Sequence, residues 1–122
     1  MLLKEVASML NRVWTLPQAE DFIGMLRRIL DVAGLEAHIV GSTKTTGQSA
    51  KDLDIVLTPK PERKDDYDYE ELLKTLMKLG DVQPTKWEGE DVDKLVLPNG
   101  KVVDFFFTET WNHQIGEKYE SR

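Results

Sequence analysis

The amino-acid sequence predicts an α+β fold: a mixed β-sheet of about four to five strands with helices packed on one face. Three observations carry that prediction. Apolar residues recur at helical spacing through the first third of the chain and again over 69–79. They alternate with a period of two in LDIVLT and in KVVDFFF. An Asn-Gly pair between two strand-like runs marks a hairpin. The order of elements, ααββαβββ, shows no repeat and no linker, and 122 residues suit one domain with a core of its own. Within that single domain, 1–34 form a helical N-terminal part, 36–107 the core and 108–122 a tail.

Leu2, Leu3, Val6, Met9, Leu10 and Val13 fall on one side of a first helix over 2–14. Thr15-Leu16-Pro17 breaks it, and Pro17 suits the first turn of a second helix running to about Ala33. Gly34 is placed to stop that helix. The period then changes. Glu36–Val40 reads as a short strand, Gly41–Lys51 as a loop, and Leu53–Thr58 as a strand ended by Pro59. The polar run KPERKDDYDY forms a loop, and Asp68 or a neighbour caps a third helix over Tyr69–Leu79, closed by Gly80. Val82–Trp87 reads as a strand interrupted at Pro84. Lys94–Leu97 and Lys101–Phe107 flank the turn Pro98-Asn99-Gly100. The tail carries Trp111 and Ile115 without a clear period, which predicts docking on the body of the domain.

Composition narrows the function. Apolar residues at 40 % and charged residues at 31 % describe a globular chain rather than a disordered one. The absence of cysteine excludes disulfides, thiolate zinc sites and cysteine nucleophiles. No apolar run reaches the roughly 20 residues a membrane span needs, and MLLKEVASML is too short and too acidic for a signal peptide. A cytoplasmic protein with no membrane partner is the expectation. A net charge of −6 argues against a general polyanion binder. It leaves open an anionic ligand whose charge is carried by bound metal, and a nucleic acid as acceptor.

The sharpest feature is VGSTKTTGQSAKDLDIVL, where a Gly-Ser turn precedes two aspartates at the start of a strand. Residues two apart share a face of a strand, so Asp52 and Asp54 project opposite to Leu53, Ile55 and Leu57. KVVDFFF repeats the pattern, with Asp104 a lone charge in an apolar strand. If the two strands are neighbours, three carboxylates converge. Such a cluster requires a cation, and neither strand supplies a basic residue at the right alternation. Oxygen-only donors select Mg²⁺ or Mn²⁺. Gly41 would let the backbone approach a phosphate, Ser42 offers a hydroxyl, and Lys44 or Lys51 adds positive charge. On this basis, replacing Asp104 by Asn relieves repulsion and leaves the metal-free protein as stable or more so. The acidic runs 65–68 and 88–93 are solvated loops, although Asp91 or Asp93 could fall near the metal face.

Gly41-Ser42, the ten-residue step from Ser42 to Asp52, Asp52-Leu53-Asp54 with apolar residues following, and the later Asp104 together resemble the DNA polymerase β-type nucleotidyltransferase superfamily. The resemblance covers residues 36–107. It implies a two-metal mechanism in which Asp52 and Asp54 bridge both metals and Asp104 holds the catalytic one. Asp104 would also lie near an attacking hydroxyl and help take its proton, and Ser42 would contact the β- or γ-phosphate. The expected substrate is an NTP, ATP by default, whose NMP passes to a hydroxyl on a nucleic-acid end, a small molecule or a protein.

The sequence departs from the family in two places. Many relatives carry an Arg and a Gly soon after Gly-Ser, where this chain has Thr43-Lys44-Thr45-Thr46-Gly47. The chain also ends shortly after Asp104, which resembles minimal members of the superfamily that borrow an acceptor surface from a helical partner protein or a second copy. A non-catalytic reading, as an antitoxin-like partner or a nucleotide sensor, stands beside the enzymatic one. Phosphatases of the haloacid-dehalogenase type place Asp-x-Asp after the apolar strand rather than before it, and glycosyltransferases need a nucleotide-binding half ahead of the motif.

Overall fold

A computed structural model describes residues 12–120. The helix expected over 2–14 therefore lies mostly outside the described residues, and its last part is turn and strand instead. The elements are β1 (Trp14–Thr15), α1 (Leu16–Ala33), β2 (Leu35–Val40), α2 (Gly41–Thr46), β3 (Gln48–Ser49), β4 (Asp52–Pro59), α3 (Tyr69–Leu79), β5 (Asp81–Trp87), β6 (Glu90–Val96), β7 (Val102–Phe107) and α4 (His113–Glu120). A five-stranded mixed sheet has the order β2-β4-β7-β6-β5, and β1 pairs with β3 in a separate two-stranded ribbon. Within the large sheet only β4 and β7 run parallel.

The helices begin and end where local chemistry demands. Thr15 caps α1 in a reciprocal capping box with Gln18, and Gly34 ends it in the left-handed conformation at φ 75°. Asp68 caps α3 by accepting from the Glu71 N–H at 3.2 Å. The apolar stripes of α1 and α3 then cover one face of the sheet. Leu26, Leu30, Leu72 and Leu76 pack there against Leu53, Ile55, Val103 and Phe105, all essentially excluded from solvent. Each such side chain contributes about 1.5–3 kcal/mol on burial.

Three expectations are corrected. The stretch Gly41–Lys51 is not one loop: Gly41–Thr46 makes a short helix and Gln48–Ser49 a strand. Its Thr-rich turn is held by hydroxyls of Thr45 and Thr46 donating to the carbonyls of Gly41 and Ser42, contacts that propensity does not register. Strand β5 runs unbroken through Pro84, because it is an edge strand and a missing N–H costs little there. The tail forms helix α4, which docks as expected on the body, but on the sheet face opposite α1 and α3. There Tyr119 and Ile115 join Val40, Val56, Val92, Phe106 and Trp87 in a second apolar cluster.

Candidate active site

The site is built on the face of β4 and β7 away from α1 and α3. Asp54 and Asp104 are direct partners across the parallel ladder, and Asp52 lies one pleat away on the same face. The alternation in each strand therefore brings all three predicted carboxylates to one patch. They do not share one environment. Asp104 is fully buried and Asp54 is 7 % exposed, while the Asp52 side chain keeps 18 % of its surface.

Burying carboxylates is costly unless a cation sits beside them. Here that cation comes from a third strand. Lys94 on β6 faces Asp104 across the antiparallel ladder. Its Nζ donates to Asp104 Oδ1 at 2.8 Å and to Asp52 Oδ2 at 3.1 Å. Arg12 Nη2 donates to the other Asp52 oxygen at 2.8 Å. Burial pushes the Asp52 carboxyl up, but hydrogen bonds from Arg12 and Lys94 and the Lys94 charge outweigh it and hold it below its ordinary 3.8. Burial likewise lowers the Lys94 ammonium, yet Asp104 and Asp52 together leave it above its ordinary 10.5.

The Gly-Ser segment closes on these carboxylates. Gly41 has φ +70°, and a Cβ placed there would stand 2.5 Å from Asp54 Oδ2. Only glycine lets the chain pass that carboxylate at this distance. Ser42, Lys51, Asp52 and Asp54 line one cleft of about 290 Å³ together with Ser49 and Trp87. Lys44 is not among them. It lines a separate groove with Arg27 of α1 and Ile39 of β2. Asp91 and Asp93 fall on the other face of β6. Asp93 accepts from the Tyr69 hydroxyl at 2.5 Å, and Asp91 pairs with Lys86.

Sequence reasoning missed Lys94, Arg12, Ser49 and Trp87. Lys94 had a usable signal: a hairpin centred on Asn99 sets Lys94 opposite Asp104, five residues to either side. Arg12, Ser49 and Trp87 reach the site through tertiary packing and had none.

As they stand, no three His, Asp or Glu side chains among the described residues are gathered closely enough to hold a metal ion. The Lys94 ammonium occupies one oxygen of Asp52 and one of Asp104. The site nonetheless fits a hard divalent cation. Its donors are carboxylate oxygens, and it already draws a cation to two of them.

The fold is α+β, a five-stranded mixed sheet with α1 and α3 on one face. Two solved structures are similar to it. One is described as the Cid1 poly(U) polymerase with MgGTP bound, at a TM-score of 0.57 and 17 % identity, covering 83 % of this chain and 33 % of that one. The other is Cid1 described by its RNA terminal uridylyl transferase activity, at a TM-score of 0.58 and 15 % identity, covering 84 % and 32 %. The chain thus spans about a third of the length of these structures. No protein-family model matches the chain, and no curated protein matches it in sequence.

Proposed function

We propose that the protein is a metal-dependent nucleotidyltransferase that moves an NMP from an NTP to a hydroxyl acceptor. The observation that carries this reading is the register of Asp54 with Asp104, with Asp52 on the same face and Gly41-Ser42 closing on Asp54. The likeness to Cid1 supports it at the level of fold.

In this reading Asp52, Asp54 and Asp104 hold Mg²⁺ or Mn²⁺, which when bound neutralises the phosphates and polarises the α-phosphorus. Ser42, with Lys51 on the same cleft wall, orients the triphosphate. The acceptor oxygen attacks the α-phosphorus in line, and the bond to the bridging oxygen breaks to release pyrophosphate. The acceptor proton passes to the Asp104 carboxylate. The acceptor is a nucleic-acid end, a small molecule or a protein, presented with help from a helical partner or a second copy of the chain.

A second reading, a non-catalytic scaffold, is favoured by one observation: Lys94 and Arg12 already neutralise Asp52 and Asp104. Calorimetric titration of each NTP with Mg²⁺ or Mn²⁺, followed by an assay of pyrophosphate release, separates the two. Metal-dependent binding that is lost in Asp52→Asn/Asp54→Asn supports the nucleotide site, and metal-dependent release of pyrophosphate supports the enzyme. Absence of binding by the wild type at millimolar nucleotide supports the scaffold.

A further inference from the structure

We propose that the Lys94 ammonium is the resident cation of this carboxylate site, and that a divalent metal enters by displacing it. The inference rests on the metal-site reading above and assigns to Lys94 a role that the three aspartates do not imply.

The geometry is specific. Lys94 Nζ bridges Asp52 Oδ2 and Asp104 Oδ1, at 3.1 and 2.8 Å, and so takes one oxygen from each of two strands. A divalent ion drawing on the same two oxygens would lie within a few ångströms of the ammonium. At that range two cations repel strongly in a partly buried site. Sharing these oxygens would carry that repulsion, so binding of the metal favours departure of the ammonium.

Lys94 can leave without moving the sheet. Its side chain is 27 % exposed, against 1 % for Asp104, so the ammonium has a path to water that the carboxylate lacks. Its four-carbon stem is flexible, and its backbone is fixed in the β6–β7 ladder. Swinging out costs the two charge-assisted hydrogen bonds, which the incoming ion replaces. Lys94 thus keeps Asp104 neutralised in the metal-free protein and sets how much metal is needed to load the site.

The test is Mn²⁺ binding to the full chain without nucleotide, read from loss of the free-ion electron spin resonance signal. It is paired with the acetylation rate of Lys94 measured by mass spectrometry. Lys94→Met should bind Mn²⁺ at least about tenfold more tightly than wild type, and Lys94→Arg should stay near wild type. In the wild type, saturating Mn²⁺ should raise Lys94 acetylation several-fold while other lysines stay unchanged. If Lys94→Met does not fold, the labelling of the wild type decides alone. Equal affinity in wild type and Lys94→Met overturns the proposal and leaves the metal site standing. Tighter binding by Lys94→Met with no rise in wild-type labelling also overturns it, because the lysine then acts only through its charge at a distance. Mn²⁺ bound by neither protein overturns the metal-site reading itself.

Discussion

Lys94 stands directly across the β6–β7 ladder from Asp104, with its Nζ 2.8 Å from Asp104 Oδ1. This pair reverses an expectation drawn from charge alone. Three clustered carboxylates suggest a site strained by repulsion until metal arrives. In the folded chain the most buried of them is already neutralised by an ammonium that also reaches Asp52.

Asp104→Asn should therefore destabilise the metal-free protein rather than leave it unchanged. The substitution removes a charge-assisted hydrogen bond at a fully buried position, worth about 1.5–3 kcal/mol. Urea denaturation in a chelating buffer measures this, and metal-dependent nucleotidyl transfer should fall by orders of magnitude in the same variant. A higher unfolding midpoint for Asp104→Asn would return the argument to repulsion.

The Asp52–Lys94 pair should make stability flat through neutral pH and weaker at both extremes. Asp52 lies below its ordinary 3.8, so its contribution is present above that pH and disappears as pH falls through its folded value. Lys94 lies above its ordinary 10.5, so its contribution holds below that pH and disappears as pH rises through its folded value. The gap in denaturation midpoint between wild type and Lys94→Met should be widest between those limits and narrow as pH falls through the folded value of Asp52, below 3.8.

Gly41→Ala and Gly24→Ala should act in opposite directions. Gly41 has φ +70° and passes so close to Asp54 that a Cβ would meet Oδ2 at 2.5 Å. Alanine there should cost at least about 1–2 kcal/mol from backbone conformation alone and weaken nucleotide binding by moving Asp54. Gly24 lies within α1 with nothing within 4 Å of an added Cβ, so alanine should gain about 0.5–1 kcal/mol. Thermal melts of the two variants provide the comparison.

His38 should make the protein less stable in mild acid. Its ring stacks on Trp111 at 4.2 Å between centroids and hydrogen-bonds the Thr58 hydroxyl at 2.9 Å. Burial holds its pKa below 6.5, against a smaller upward pull from Glu36. A group depressed in the folded state favours unfolding once the unfolded chain takes up protons. The contribution is complete above pH 6.5 and is lost as pH falls toward the folded value. The wild-type melting temperature should drop between pH 7 and pH 5 by more than that of His38→Gln.

Much of the sheet was legible in the chain itself. The alternation of LDIVLT and VVDFFF set which side chains face α1 and α3, and it put Asp52, Asp54 and Asp104 on the opposite face. The Asn-Gly turn set the β6–β7 hairpin, and with it the pairing of Lys94 and Asp104. Helix α3 begins and ends where Asp68 and Gly80 stand. Short elements were less visible. Gly41–Thr46 and Gln48–Ser49 exist because hydroxyl–carbonyl bonds and the Trp14–Thr15 ribbon hold them. The ribbon pairs Trp14 with Ser49 and Thr15 with Gln48, beyond any local window, and propensity alone counts threonine as a weak helix former.

The sequence by itself determined the period of each main strand and helix, and through it the face on which each carboxylate lies. Those are local properties, because a side chain's direction follows from its position along its own strand. Tertiary structure decided which groups meet. It brought Arg12 and the end of the Lys94 side chain onto Asp52, moved Lys44 to another groove, and folded α4 over the face where Trp87 and Phe106 would otherwise be open. Those outcomes depend on pairing between distant segments and on the cost of leaving buried charges and apolar surface uncovered, neither of which spacing along one chain can express.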